Sequence, residues 1–407
     1  MPFVRSAGKG FFPLDEALGL LAGMLTPHGH ECLVRLAGWM PFGKAAEILE
    51  DFMGVHVSPI VSQKYTEAAG AAYVQLQAEA VERLEKEMDP AEKGADKLQI
   101  SADGAMVPLV HGVWAEVKTL VIGEVQPGVE ENGERVVHTR NLSYFSRKMN
   151  ADAFQRLALV EVHRRGVEHA QEVAAIMDGA EWEQGFTDYH CPQATRILDF
   201  PHAAEHMNEI GEYLHGEHTP ESQAWLSEHL HHLKHAGPDE LLLELHNLQS
   251  QYPQAEAISG NLAYLEKRKD QLQYPQFQAQ GWPIGSGIVE SGNKLVVEAR
   301  LKGSGMHWKE SHVDSMLAIR NIICSDRWKV EWPKIDDRLR QQTRLQRSKL
   351  HQSRIPAPPK PLVDDKVLQA LSARLEQENA PKTPKPNPWR NFKHGKALYQ
   401  RPNPPKN

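Results

Sequence analysis

Gly285-Ser-Gly-Ile-Val-Glu290-Ser-Gly-Asn293-Lys294-Leu-Val-Val-Glu-Ala-Arg300-Leu-Lys-Gly303-Ser-Gly-Met-His-Trp308 is the stretch on which the reading of this chain turns. Ser286 suits a helix N-cap and Gly303 a helix end. On a 3.6-residue period Ile288, Gly292, Leu295, Val296 and Ala299 make an apolar stripe fit for a core. Glu290, Asn293 and Lys294 fall on the opposite side, with Val297 among them. A carboxylate, an amide and an amine thus leave the first turns of one packed helix together. Alone, such a helix reads as an ordinary surface element with a solvated Glu. Chemistry requires other carboxylates that can meet Glu290.

Two aspartates answer that requirement. Lys97 to Asp103 alternates like a strand, and Gly104-Ala-Met-Val-Pro-Leu follows it. Val113–Val125 and Arg135–Phe145 read as a second and a third strand, with Pro127-Gly128 and Asn132-Gly133 as turn signals between them. Ala151 to about His169 has the pattern of an amphipathic helix. Glu172–Met177 is a short strand of the fully buried kind, running into Asp178, and Ala194–Asp199 is a fifth. Three strands in a meander followed by helix, strand, helix, strand, helix predict an α/β domain with one mixed sheet. The first strand is then central and the fourth lies beside it. Asp178 falls at a strand's carboxyl end, where α/β sheets bind ligands. Three converging carboxylates repel one another unless cations neutralise them, and oxygen-only donors suit Mg²⁺ or Mn²⁺. Two such ions about 3.5–4 Å apart clamp the attacking and leaving oxygens of an in-line phosphoryl transfer.

The flanking regions are helical. Residues 203–281 show no strand pattern and are rich in histidine, with no spacing of a closed zinc site, so a solvated polar face is expected there. Upstream, a helix is predicted from Pro13 through Met24 and a second apolar segment over Glu31–Met40. Ala45, Ile48, Leu49 and Phe52 then form one helical face, Gly54 breaks it, and Ser58-Pro59 starts a capped helix. Helix, glycine turn and capped helix over 43–69 is a helix-turn-helix pattern, which turns Ser62, Gln63 and Lys64 toward a major groove. A plain helical hairpin is the other reading. Beyond His312–Ile323, a further helix, lies a basic segment with Arg338, Arg340 and Arg344. A Pro-rich tail follows, interrupted by one helix near Lys366–Gln377, and reads as largely disordered.

The net charge of the 407-residue chain is −7, which by itself argues against nucleic acid. The distribution tempers this, since from Pro381 onward there are seven Lys or Arg and no acid. The three cysteines are far apart, which fits a reducing cytoplasm, and neither a signal-peptide core nor a membrane-length apolar run is present.

Ile100-Ser-Ala-Asp103-Gly-Ala, Met177-Asp178-Gly-Ala-Glu-Trp, Asp199-Phe-Pro-His202 and Gly287-Ile-Val-Glu290-Ser-Gly-Asn-Lys together resemble the motifs of DDE transposases with an RNase H-like core. The similarity is to bacterial insertion-sequence transposases of the Mutator-related branch, and covers about residues 10–330. That branch carries an all-helical insertion between the second Asp and the Glu, which the 112 positions from Asp178 to Glu290 match. It also carries a (Cys or Asp)-x-x-His signature, matched by Asp199 and His202. The resemblance implies metal-dependent cleavage and strand transfer of DNA. Asp103, Asp178 and Glu290 would hold two Mg²⁺ or Mn²⁺ ions, and His202 would contact the scissile phosphate or steady the site. Asp199 is the alternative second Asp. Asn293, Lys294, Arg300, Arg338, Arg340 and Arg344 are the further expected DNA contacts. A homodimer or larger multimer on terminal repeats and target DNA, associated with the nucleoid, is also implied.

The implied organisation has five parts: a helical DNA-binding region over 1–92, the first part of the catalytic core over 93–202, the insertion over 203–281, the closing helices with Glu290 over 282–330, and a basic helix and tail over 331–407. Family members often carry a Cys-x-x-Cys pair ahead of a segment like Gly8-Lys-Gly-Phe-Phe-Pro. Val4–Gly8 has no cysteine, so against the family pattern either a truncated chain or a misassigned start is expected. Two other functions compete with transposition: a catalytically inactive DNA-binding remnant that inhibits a transposase, and a metal-dependent nuclease unrelated to mobile elements.

Overall fold

The computed structural model describes residues 25–87, 94–131, 134–352 and 365–378. The expected helix over Pro13–Met24 and the Pro-rich tail lie outside them. The chain forms two compact units, 1–345 and 346–407, and one described helix, Asp365–Glu378, lies wholly in the second.

The first unit is built on a five-stranded mixed sheet. Its strands are β1 (Lys97–Pro108), β2 (Trp114–Val125), β5 (Thr139–Arg147), β6 (Glu172–Met177) and β7 (Thr195–Leu198), in the order β5-β2-β1-β6-β7. The β1–β2 and β2–β5 pairs are antiparallel, whereas β6 lies parallel to β1 and β7 parallel to β6. This is the predicted RNase H-like α/β arrangement, with β1 central and β6 beside it. One difference lies in the third strand. Residues expected to begin it form a separate hairpin, β3 (Val129–Glu131) with β4 (Glu134–Val136), and the sheet strand starts at Thr139.

Alternation along β1 and β6 gives the sheet two dry faces. Leu98, Ile100, Ala102, Ala175 and Met177 pack with Phe154 and Ala158 of α4 (Ala151–Arg164) and Phe186 of α5 (Glu181–His190). On the other face Ala174 and Ile176 join Met207, Leu262 and Tyr274 of the helical insertion, while Ala105 and Val107 meet Val289, Val296 and Leu317. The insertion consists of α6 (Phe200–His215), α7 (Pro220–Ala236), α8 (Asp239–Gln251), α9 (Glu256–Lys267) and the short α10 (Tyr274–Ala279). Its histidines are not merely solvated. His229 pairs with Glu244, His232 with Glu240 and His246 with Glu266, each across two neighbouring helices.

The N-terminal helices are α1 (Pro27–Trp39), α2 (Phe42–Met53) and α3 (Pro59–Lys86). Gly54 ends α2 at φ 64°, and the Ser58 side chain caps α3 by accepting from the Val61 N–H at 3.3 Å. The helix-turn-helix outline is therefore present, but Ser62 does not face outward as expected. It is fully buried, and Thr66 Oγ1 donates to its carbonyl. Gln63 is tied to Glu67 at 2.8 Å, leaving Ile60 and Lys64 exposed in the first turns of α3. Phe52, assigned above to the apolar face of α2, is 85% exposed.

α3 runs on into the body and crosses α12 (Glu310–Cys324) so closely that a Cβ at Gly70 would stand 2.0 Å from the Ser315 carbonyl oxygen. The basic helix, α13 (Trp328–Gln352), is rooted in the same core by Trp328, Trp332, Ile335 and Leu339. Arg338 pairs with Glu79 of α3, Arg340 pairs with Asp336, and Arg344 is exposed. Among the described residues no helix is long and apolar enough to cross a membrane.

Candidate metal centre

The parallel pairing of β1 with β6 runs through Ile100 opposite Ala175. Three residues further along each strand stand Asp103 and Asp178, so one register brings both carboxylates to the same level at the sheet's carboxyl edge. Glu183, in the first turn of α5, joins them. Asp103, Asp178 and Glu183 each present an oxygen within 4.8 Å of the other two. Among the described residues this is the one group of at least three possible metal ligands that meets so closely.

Each carboxylate is held by its surroundings. Asp103 Oδ1 accepts from the Gly104 N–H at 2.6 Å and Oδ2 from Asn293 Nδ2 at 2.8 Å. Asp178 Oδ1 accepts from the Ala180 N–H at 2.8 Å, closing the turn that ends β6. Glu183 Oε2 accepts from the Gly179 N–H at 3.1 Å, and its carboxyl meets that of Asp178. Burial pushes the Asp103 carboxyl above the usual range, with a further push from Asp178 that the Gly104 and Asn293 hydrogen bonds oppose. Glu183 is raised to about 10, first by burial, then by a hydrogen bond with Asp178 and by the charges of Asp178 and Asp103. Without a cation, Glu183 therefore carries a proton at neutral pH, which relieves the repulsion.

The turn between Asp178 and α5 is clamped by the insertion. Gly179 has φ +85°, where a side chain is strained, and a Cβ there would meet Arg268 Nε at 2.5 Å and Tyr264 Oη at 2.7 Å. The Tyr264 hydroxyl donates to the Asp178 carbonyl. Arg268, buried just beyond α9, donates through Nε to the Gly179 carbonyl at 3.2 Å and lies 3.8 Å over the Tyr264 ring. On the far side of β1, Lys118 stands opposite Gly104, pairs with Glu116 and lies over the Trp182 ring at 5.0 Å.

Asp199 is engaged elsewhere. Its Oδ2 accepts from the His202 N–H at 3.2 Å, capping α6, and its Oδ1 accepts from the Ser286 N–H at 2.6 Å. It is absent from the three-carboxylate group, so the pair brought together is Asp103 with Asp178. His202, at the start of α6, contacts Glu205 through Nδ1 at 3.1 Å and lies edge-on to the Tyr264 ring at 5.8 Å.

The returning helix, α11, comprises an α segment Gly287–Gly292, a π turn Asn293–Glu298 and a last turn Ala299–Leu301. Ser286 stands at its N-cap position but makes no side-chain cap bond. The π turn rotates the buried face away from the 3.6-residue expectation. Val289, Gly292, Asn293, Val296, Val297 and Arg300 are buried, whereas Leu295 and Ala299 are exposed. Arg320 of α12 holds this geometry by donating to the Leu295 carbonyl and, at 3.2 Å, to that of Val296. Arg300 is not on a DNA-facing surface. It is buried, donates to the Ala37 carbonyl at 2.9 Å and lies between the Phe42 and Trp308 rings. Asn293 is likewise enclosed and bound to Asp103. Lys294 is exposed and paired with Glu290.

Glu290 thus sits one helical turn from the Asn293–Asp103 contact, but its carboxylate is 68% exposed and turned to Lys294. It is not among the three converging carboxylates. Glu183 takes that place, and sequence reasoning missed it because the charged run Glu181-Trp-Glu183-Gln resembles a solvated helix start. The available signal was its alignment with Phe186, Thr187 and His190 at helical spacing, on the inward face.

The donor set suits a hard divalent cation: carboxylate oxygens from three elements, and the Asn293 amide oxygen, buried with no hydrogen-bond partner. No protein-family model matches the chain, and no curated protein matches it.

Proposed function

We propose that this protein is a DNA transposase of the DDE type, resembling the Mutator-related branch, and that it carries out metal-dependent phosphoryl transfer at the carboxyl edge of its RNase H-like sheet. The observation that carries the reading is the register that sets Asp103 beside Asp178, with a helix bearing Glu290 and Asn293 docked onto Asp103 across a long helical insertion. Asp103 and Asp178 would hold Mg²⁺ or Mn²⁺ jointly, with Glu290 released from Lys294 to complete the set. Bound divalent ions supply charge neutralisation at a scissile phosphate and a more acidic attacking hydroxyl. The chain's own part is positional. Gly104, Ala180 and Asn293 fix the aspartate oxygens, and Tyr264 and Arg268 fix the turn that carries Asp178. Lys64, Lys294 and Arg344, all exposed, are the remaining contacts for phosphates from the helices discussed, while Arg338 and Arg340 reach DNA only by leaving Glu79 and Asp336, as Lys294 must leave Glu290.

The test is strand joining on an oligonucleotide bearing the element's terminal repeat, in Mg²⁺ and in Mn²⁺. Glu290→Gln abolishes joining and leaves DNA binding intact. Joining retained in Glu290→Gln refutes its assignment, and wild-type protein that neither cleaves nor joins in either metal favours a DNA-binding remnant.

A further inference from the structure

The geometry points to Glu183 as a metal ligand in its own right, forming with Asp103 and Asp178 a cation site complete enough to load before DNA arrives. This rests on the metal reading above and goes beyond it, because it separates the site that holds the first ion from the exposed Glu290. Glu183 is fully buried, takes one backbone donor, the Gly179 N–H, and its carboxyl shares a space of less than 5 Å with two others. A buried acid that served only packing would normally pair with donors, and Glu183 instead faces two further acids. The second observation comes from a different element. Asn293 is 95% buried, its amide nitrogen is fixed on Asp103 Oδ2, and its Oδ1 lacks a partner. A desolvated, unused amide oxygen thus belongs to a side chain docked on Asp103, while the Glu183 carboxyl faces Asp103 and Asp178 from α5. An oxygen-seeking divalent cation satisfies both. Glu290 differs in each respect, being exposed and already paired.

Mn²⁺ binding to the full chain without DNA tests this, read by the electron paramagnetic resonance signal of free Mn²⁺ and by the metal-induced rise in thermal midpoint. Wild type and Glu181→Gln, which removes an exposed acid of the same helix paired with Lys267, bind alike. Glu183→Gln loses at least about tenfold in affinity and most of the midpoint rise, a loss at least as large as those typical of residues beyond the ligand shell. Glu183→Leu, which fills the same volume without a donor, behaves as Glu183→Gln, and circular dichroism in chelator confirms that each variant is folded. If both Glu183 variants bind as wild type while Asp103→Asn and Asp178→Asn do not, the Glu183 assignment falls and the proposed function stands. If Asp103→Asn and Asp178→Asn also bind as wild type, the metal reading itself falls. Absence of binding by wild type without DNA overturns the inference that the site loads first.

Discussion

Gly179→Ala probes the link between the helical insertion and the turn that carries Asp178. At φ +85° an alanine pays roughly 1–2 kcal/mol for the left-handed conformation. The added methyl would stand 2.5 Å from Arg268 Nε, 2.7 Å from Tyr264 Oη and 2.9 Å from Leu198 Cδ1, so these groups must move. Overpacking of that kind costs about 1–3 kcal/mol. The sum is roughly 2–5 kcal/mol, lost together with the hydrogen bonds from Tyr264 and Arg268 to the turn. Urea unfolding measures it as a fall in midpoint at constant slope. Gly260→Ala is the matched control. It lies within α9, a Cβ there meets nothing within 4 Å, and the substitution is expected to stabilise by up to about 1 kcal/mol. Arg268→Met removes the guanidinium, so Gly179→Ala costs less in that background than in wild type. A loss below about 0.5 kcal/mol, or full additivity with Arg268→Met, would refute the claim that the insertion clamps this turn.

Two further predictions concern the body of the fold. Gly70→Ala forces a methyl against the Ser315 backbone where α3 crosses α12, which no rotamer relieves, and the expected loss is about 3 kcal/mol or more by the same urea measurement. His30 is buried between Tyr65 and Trp332, and burial lowers its imidazole from 6.5 to about 4. The unfolded chain therefore binds the proton first as pH falls. Stability is fully present above about pH 6.5 and declines toward pH 4, by about 3 kcal/mol from this group. His30→Phe removes that part of the decline, and an unchanged difference between urea midpoints at pH 7 and pH 4.5 would sink the assignment.

The sheet was legible because its signals are local. Alternation in β1, the apolar run of β6 and the turn residues between strands need no tertiary information, and they place Asp103 and Asp178 each three residues beyond the last paired position of β1 with β6, Ile100 opposite Ala175. Three features were not legible, each for a physical reason. The buried face of α11 departs from the 3.6-residue stripe because a π turn shifts it, and that turn is held by Arg320, far along the chain. The burial of His229 in α7, among histidines that are otherwise largely exposed as expected, was not legible because its partner Glu244 stands on the neighbouring helix. Ser62 and Arg300 carried the composition of a DNA-facing surface, but α3 and α11 are buried on those sides by α12 and the N-terminal helices.

The distance in sequence between Asp178 and Glu290 has a structural answer. The insertion leaves the sheet at Phe200 and returns at Ile284, and the Phe200 N–H donates to the Ile284 carbonyl at 3.0 Å. Its two ends therefore meet at one point. Closing a long excursion costs only slightly more entropy than closing a short one, so the insertion's length places little burden on α11. Asp199 secures that point, capping α6 with one oxygen and taking the Ser286 N–H with the other. Gln99 of β1 adds a bond to the Gly285 carbonyl at 3.3 Å. Asp199 belongs to the junction that aims α11 at Asp103, and that role explains why it follows β7 without joining the group of Asp103, Asp178 and Glu183.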